Sequence, residues 1–87
     1  MALYCRKNGR NVNRLGITVS GKIGNAVVRN RIRRRLKEIY RLNEASLLPG
    51  YDLVLVARMK SRFAKYAELN GDFIKLSRKL GIYGADK

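Results

Sequence analysis

No histidine and no tryptophan occur in this chain of 87 residues, which also has one cysteine, one proline and only six acidic residues. Each shortage closes off a class of function. Without histidine the commonest general base is missing. A lone thiol, Cys5, cannot close an intramolecular disulfide, and with no histidine beside it a Cys/His zinc site is excluded. That usage fits a reducing cytoplasm, which is the expected location. The acidic residues Glu38, Glu44, Asp52, Glu68, Asp72 and Asp86 are scattered among basic neighbours. None forms a sequence-local pair suited to metal binding or acid–base catalysis, so only residues distant in the chain are left to meet in the fold. No apolar run reaches the length of a membrane span. The start, Met1-Ala2-Leu3-Tyr4-Cys5, lacks the basic region and long apolar core of a signal peptide. These shortages predict no catalytic side chains and no metal held by the protein itself.

What is abundant is positive charge. Twenty Lys plus Arg stand against six Asp plus Glu, a formal net charge of +14. Such an excess speaks about partners and not about fold. A nucleic acid is the first candidate for the neutralising partner and an anionic membrane surface the second. The length suits one small domain, residues 1–87.

Residues 2–8 read as a short strand ended by the turn dipeptide Asn8-Gly9. Residues 14–20 read as a second strand, with Leu15, Ile17 and Val19 on one face and Gly16, Thr18 and Ser20 on the other. The two strands are expected to pair antiparallel. The small face left by Gly16 and Thr18 is compatible with plain solvent exposure or with room for a ligand. Asn25 reads as an N-cap, with a helix from about Ala26 that frays near Leu42-Asn43. Val28, Ile32, Leu36 and Ile39 form its apolar arc, Tyr40 marks the edge, and Arg29 lies at the boundary. Pro49-Gly50 breaks the next connection. The near-continuous apolar run Tyr51 to Arg58 suits a central strand covered on both faces. Strand, helix and strand at this spacing predict a βαβ unit with parallel strands, hence a mixed sheet. Met59 to Ala64 reads as a basic loop. Residues 65–80 read as a second helix with Leu69, Phe73, Leu76 and Leu80 facing the core and Gly81 as its terminator. Tyr83 to Lys87 read as a frayed tail.

The first helix is where the chain stops being generic. Its polar side carries Asn30, Arg31, Arg33, Arg34, Arg35, Lys37 and Arg41. Like-charge pairs one turn apart (Arg29/Arg33, Arg31/Arg35, Arg33/Lys37, Lys37/Arg41) each cost on the order of 0.2–0.5 kcal/mol in an isolated helix. Positive charge in its first turns also opposes the helix dipole. A helix selected only for stability would mix its signs, so an anionic partner is expected on this face. Arginine outnumbers lysine there, and its planar fork suits phosphate oxygens. A membrane-surface helix is disfavoured because the apolar arc is needed to cover the sheet. Flanking strands disfavour a helix-turn-helix geometry. Tyr4, Tyr40, Tyr51 and Tyr66 offer either stacking surfaces for unpaired bases or ordinary half-buried packing.

The stretch Gly16-Ile17-Thr18-Val19-Ser20-Gly21-Lys22-Ile23-Gly24-Asn25-Ala26-Val27-Val28-Arg29-Asn30-Arg31 closely resembles the signature of the bacterial ribonuclease P protein family, and Arg29-Asn30-Arg31 matches its RNR motif. The resemblance continues through Arg34-Arg35-Leu36 and Tyr51 to Arg58 into the final helix, so it covers nearly the whole chain. It implies an α+β fold, a small two-layer sandwich in the order β-β-α-β-α, with a mixed sheet. It also implies a left-handed βαβ crossover, against the generic right-handed rule. The implied role is that of a subunit of a ribonucleoprotein endoribonuclease that removes the 5′ leader from precursor tRNA, with the catalytic Mg²⁺ held by the RNA subunit. The implied partners are the ribonuclease P RNA and precursor tRNA, with no membrane.

Carried over by position, Lys22, Arg31, Arg34 and Arg35 resemble contacts to the RNA subunit. Tyr4, Arg29, Asn30, Arg33 and Lys37 resemble leader-binding positions. Two departures accompany the resemblance. The family usually has Lys where Gly21 stands here. An N-terminal helix and a preceding strand usual in the family have no counterpart ahead of Met1, which predicts uncovered apolar surface and self-association or strand exchange. The alternatives are a structural RNA-binding protein such as a ribosomal component, and an independent protein nuclease.

Overall fold

The computed structural model describes residues 1–84. The elements are β1 (Ala2–Lys7), β2 (Arg14–Thr18), α1 (Ala26–Asn43), β3 (Tyr51–Val56) and α2 (Tyr66–Lys79), with single 3₁₀ turns at Gly21–Ile23, Glu44–Ser46 and Met59–Arg62. The expected order and the mixed sheet are both present.

The expected pairing of β1 with β2 is not. The sheet order is β1-β3-β2, with β3 antiparallel to β1 and parallel to β2. The apolar run of β3 takes the centre, and residues 8–13 bridge across its starting end instead of closing a hairpin. Two asparagines make that bridge specific. The Asn8 amide N–H donates to the Gly50 carbonyl at 2.9 Å, while its side chain donates to Asp52 at 3.1 Å. Asn13 donates to the Leu48 carbonyl and accepts from the Tyr51 N–H. A turn dipeptide seen in sequence thus marks a crossing loop, because the central strand offers two edges that both need partners.

One sheet face carries Leu3, Leu15, Ile17, Leu53 and Leu55, and this face joins the hydrophobic core. Both helices lie against it, α1 beside β2 and α2 beside β1, and the helices touch each other. The ring edge of Tyr40 meets Phe73 at 6.5 Å and 85°. The other face is open, which corrects the expectation of a strand covered on both sides. The register places Tyr4, Val54 and Gly16 in one row across it, and Tyr4 and Val54 are exposed.

Helix α1 begins where the sequence predicts. The Asn25 side chain accepts from the Val28 N–H at 3.0 Å, and Ile32, Leu36, Ile39 and Tyr40 are buried. Gly24 is required just before it, since a Cβ there would lie 2.8 Å from a Val28 methyl. Asn43, read as a fraying end, is buried and donates to the Ile39 carbonyl and the Asn70 side chain, each at 2.8 Å. In α2 the final apolar position slips: Ser77 is buried and Leu80 is exposed. The cause is the helix end. Gly81 adopts φ +76°, its N–H donates to Arg78 and the Ile82 N–H reaches back to Ser77. This αL termination swings Ile82 into the core in place of Leu80. Tyr83, expected in a frayed tail, pairs with Leu47 in an isolated bridge; the rest of that tail from 85 onward lies outside the described residues.

Candidate nucleic-acid interface

Burying Ile32, Leu36 and Ile39 fixes how α1 presents its charges. Arg31, Arg33, Arg34, Lys37 and Arg41 are exposed, and Arg35 is half-buried. A single ion pair forms among the described residues, Arg14 with Asp52 on the sheet. The α1 cations therefore make no direct ion pair among those residues, and the acidic side chains nearest to them are Glu38, in a hollow with Arg34, Lys37 and Arg41, and Glu44 at the helix end.

The helix has two flanks, separated by Arg34. On one, Arg35 reaches the 59–65 segment, where its guanidinium N–H approaches the Ala64 carbonyl at 3.4 Å, and Arg31 lies one turn before it on the same side of the helix. Lys22 is exposed on the neighbouring 3₁₀ turn, which Arg62 ties to the same segment by donating to the Ile23 carbonyl at 3.2 Å. On the other flank, Arg33, Lys37 and Arg41 overhang a cleft of about 360 Å³ between α1 and β2. Its floor is Leu15 and Ile17, and Tyr40 and Glu44 complete it. Asn30 shares a shallow surface hollow with Arg33, Arg34 and Lys37. Burial, and secondarily the Glu44 carboxylate, push the Tyr40 phenol up from its usual range, so it stays neutral.

Arg29 is half-buried at the boundary of the apolar arc, and its buried Nε has no hydrogen-bond partner. Tyr4 is not brought to the α1 flank. It stands on the open sheet face, 57% exposed, in a separate hollow with Cys5, Arg6, Asp52 and Val54. Tyr40 is buried, so of the four tyrosines considered for stacking only Tyr4 offers a largely free ring.

Leu15, Ile17 and Arg41 are not singled out as site residues by sequence reasoning. Alternation correctly puts Leu15 and Ile17 on the core face. They remain half-buried because β2 is a sheet edge, a fact that pairing order alone reveals. No group of three or more His, Cys, Asp or Glu among the described residues could hold a metal ion. No helix among them is long and apolar enough to cross a membrane.

A family model described as Ribonuclease P matches residues 1–81. The ribonuclease P protein component of Clostridium botulinum strain Langeland is 46% identical over 84 residues, covering 95% of this chain and 76% of its own. That of Clostridium kluyveri is 47% identical over 85 residues, with the same coverage. Among solved structures, the RNase P protein from Thermotoga maritima superposes with a TM-score of 0.81 at 31% identity, over 88% of this chain and 74% of that one. The Staphylococcus aureus RNase P protein gives 0.82 at 27% identity, over 93% and 74%.

Proposed function

This chain belongs to the ribonuclease P protein family, and from that premise we propose how its surface divides between two RNAs. Its function is the family's, tRNA processing as the protein subunit of a ribonucleoprotein endoribonuclease, and its partner is the ribonuclease P RNA. The finer reading assigns Lys22, Arg31, Arg34 and Arg35 to that RNA. It assigns Arg29, Asn30, Arg33 and Lys37, with Tyr4, to the 5′ leader of precursor tRNA. The observation that carries it is the two-flanked basic helix, whose guanidinium groups make no direct ion pair among the described residues.

The leader, as single-stranded RNA, needs stacking surfaces and phosphate donors along one track. Tyr4, Val54 and Gly16 lie in one row of the open sheet face. Gly16 puts no side chain in the way, so a strand stacked on Tyr4 can pass over the β2 edge to Arg33 and Lys37. In this reading the catalytic Mg²⁺ ions belong to the RNA subunit, as the family resemblance implies. The protein's part is to raise affinity for substrate at low Mg²⁺ by holding phosphates.

Reconstitution tests this. The chain is mixed with bacterial ribonuclease P RNA, and 5′ cleavage of precursor tRNA is followed at low Mg²⁺. Stimulated cleavage, with tighter binding of precursor than of mature tRNA, is expected. Equal affinity for both would favour a structural RNA-binding role, and cleavage without the RNA subunit would indicate a nuclease of its own. The open face carrying exposed Tyr4 and Val54 also favours self-association in the absence of RNA; sedimentation showing only monomer at high micromolar concentration argues against it.

A further inference from the structure

The segment Arg58 to Lys65 is basic and exposed, and the division into two flanks leaves it without a role. Its charged residues are Arg58, Lys60, Arg62 and Lys65, and no acidic residue occurs between Asp52 and Glu68. Phe63 is 77% exposed and Met59 on the same turn is 52% exposed. A single exposed apolar side chain is ordinary. A phenylalanine this exposed on a turn this firmly held is not explained that way.

The holding contacts come from several directions. Ser61 is buried and its hydroxyl accepts from the Arg58 N–H at 3.1 Å. Backbone bonds join Ser61 to Arg58, and Phe63 and Ala64 to Lys60. Arg62 ties the turn to Ile23, and Arg35 ties it to α1. The Arg62 guanidinium lies over the Phe63 ring, 5.4 Å from its centroid. One ring face is therefore taken by a cation already anchored to the backbone of the Lys22 turn, and the other is free. A held aromatic face in an exposed basic segment suits an unpaired nucleotide, whose base stacks on the ring while its phosphates find cations among Arg58, Lys60 and Lys65 of the same segment.

We propose that the 58–65 turn is a further RNA-binding site, in which Phe63 stacks an unpaired base of the ribonuclease P RNA. The inference rests on the family role given above. The RNA subunit is favoured over the leader because the turn adjoins Lys22, Arg31 and Arg35, on the flank away from the Arg33 and Lys37 cleft.

The chain has no tryptophan, so a Phe63→Trp variant carries a single indole reporter at the site. In the complex with ribonuclease P RNA its emission should be quenched and shielded from acrylamide, and binding should match the parent. Phe63→Ala should bind that RNA about 5- to 150-fold more weakly, the range for loss of one base–aromatic stack. Phe63→Leu should not restore it. Unfolding midpoints of all variants should equal the parent's, because the ring is exposed. Full RNA binding by Phe63→Trp with unchanged indole emission, or parent-like affinity of Phe63→Ala, overturns the proposal. So does a blue shift on phosphatidylglycerol vesicles with no response to RNA, which would make the turn a membrane contact. Failure of the parent chain itself to bind the RNA overturns the family role first and this site with it, and that result is distinct from the others.

Discussion

The two flanks of α1 are built from the same residue type on the same helix, yet they present different surfaces. The Arg31 and Arg35 flank closes against a second loop. There the guanidinium of Arg35 is half-buried, and the neighbouring turns are tied together by Arg62. The Arg33, Lys37 and Arg41 flank stays open above an apolar floor of Leu15 and Ile17. A closed, cross-tied basic surface suits a large folded RNA that meets many phosphates at once. An open cleft with an apolar floor suits a single strand that inserts bases and exposes phosphates to the rim. Arginine content alone does not distinguish these uses; the environment beneath each arginine does.

Both flanks depend on a rigid helix, so the largest effect should come from loosening it. Leu36 is fully buried under both flanks, and Leu36→Ala should cost about 2–5 kcal/mol. Urea unfolding should show the loss, and affinity for the RNA subunit and preference for precursor tRNA should fall together. An unchanged unfolding midpoint would mean that the helix is not held by this arc.

Charge variants should separate what Leu36→Ala joins. Arg31→Ala should weaken binding of the RNA subunit by roughly 1–3 kcal/mol, the range for a charge-assisted contact, and leave the ratio of precursor to mature tRNA affinity unchanged in the assembled complex. Arg33→Ala and Lys37→Ala should lower that ratio with little effect on assembly. If each variant lowers both quantities equally, the two flanks form one undivided surface.

Much of α1 is legible in the sequence because its signals are local. The Asn25 cap, the spacing of Ile32, Leu36 and Ile39, and the boundary position of Arg29 all follow from helix periodicity. The basic face is legible for the same reason. What escapes is set by contacts distant in sequence. Strand order depends on how Asn8 and Asn13 cap the start of β3, so pattern alone pairs β1 with β2 instead of placing both beside it. The exchange of Leu80 for Ile82 depends on the αL turn at Gly81, which is recognisable as a terminator without showing its effect on the following residue. The apolar floor of the cleft needs the edge position of β2. The separation of Tyr4 from the Arg33 flank needs the sheet's two faces to be told apart, and the family resemblance groups these residues by role, not by place.

Salt provides a finer cut. If about 6–8 phosphates are neutralised on the RNA subunit, log affinity should fall against log salt with a slope of about −4 to −7. Arg31→Ala should make that slope shallower by about 0.7–0.9, one phosphate contact. Arg33→Ala should leave it unchanged for the RNA subunit and flatten it for precursor binding. A nearly flat response in the parent would contradict an electrostatic interface on either flank.

The smallest effect should come from a charge pair outside both flanks. Asp52 accepts from Arg14 Nε at 2.8 Å and Nη2 at 2.7 Å, and from the Asn8 side chain at 3.1 Å. Those hydrogen bonds, Arg14's first, hold its carboxyl well below the usual carboxylate range. The pair is solvent-exposed on the Arg14 side, where an ion pair contributes little. Because the folded pKa is depressed, the unfolded chain takes up the proton first as pH falls through about 4. The contribution of Asp52 is therefore complete above that pH and is lost progressively below it. Asp52→Asn should be slightly less stable than the parent at neutral pH, and the two should converge on acidification, as read from urea midpoints between pH 7 and about pH 2. Affinity for the RNA subunit at neutral pH should stay within about twofold, since the site shares no partner with α1. An acid dependence as steep as the parent's would assign the titration to another carboxylate. A large loss of RNA binding would mean that the loop crossing the start of β3 supports the α1 flanks from a distance, and that they are not set by the helix's own apolar arc.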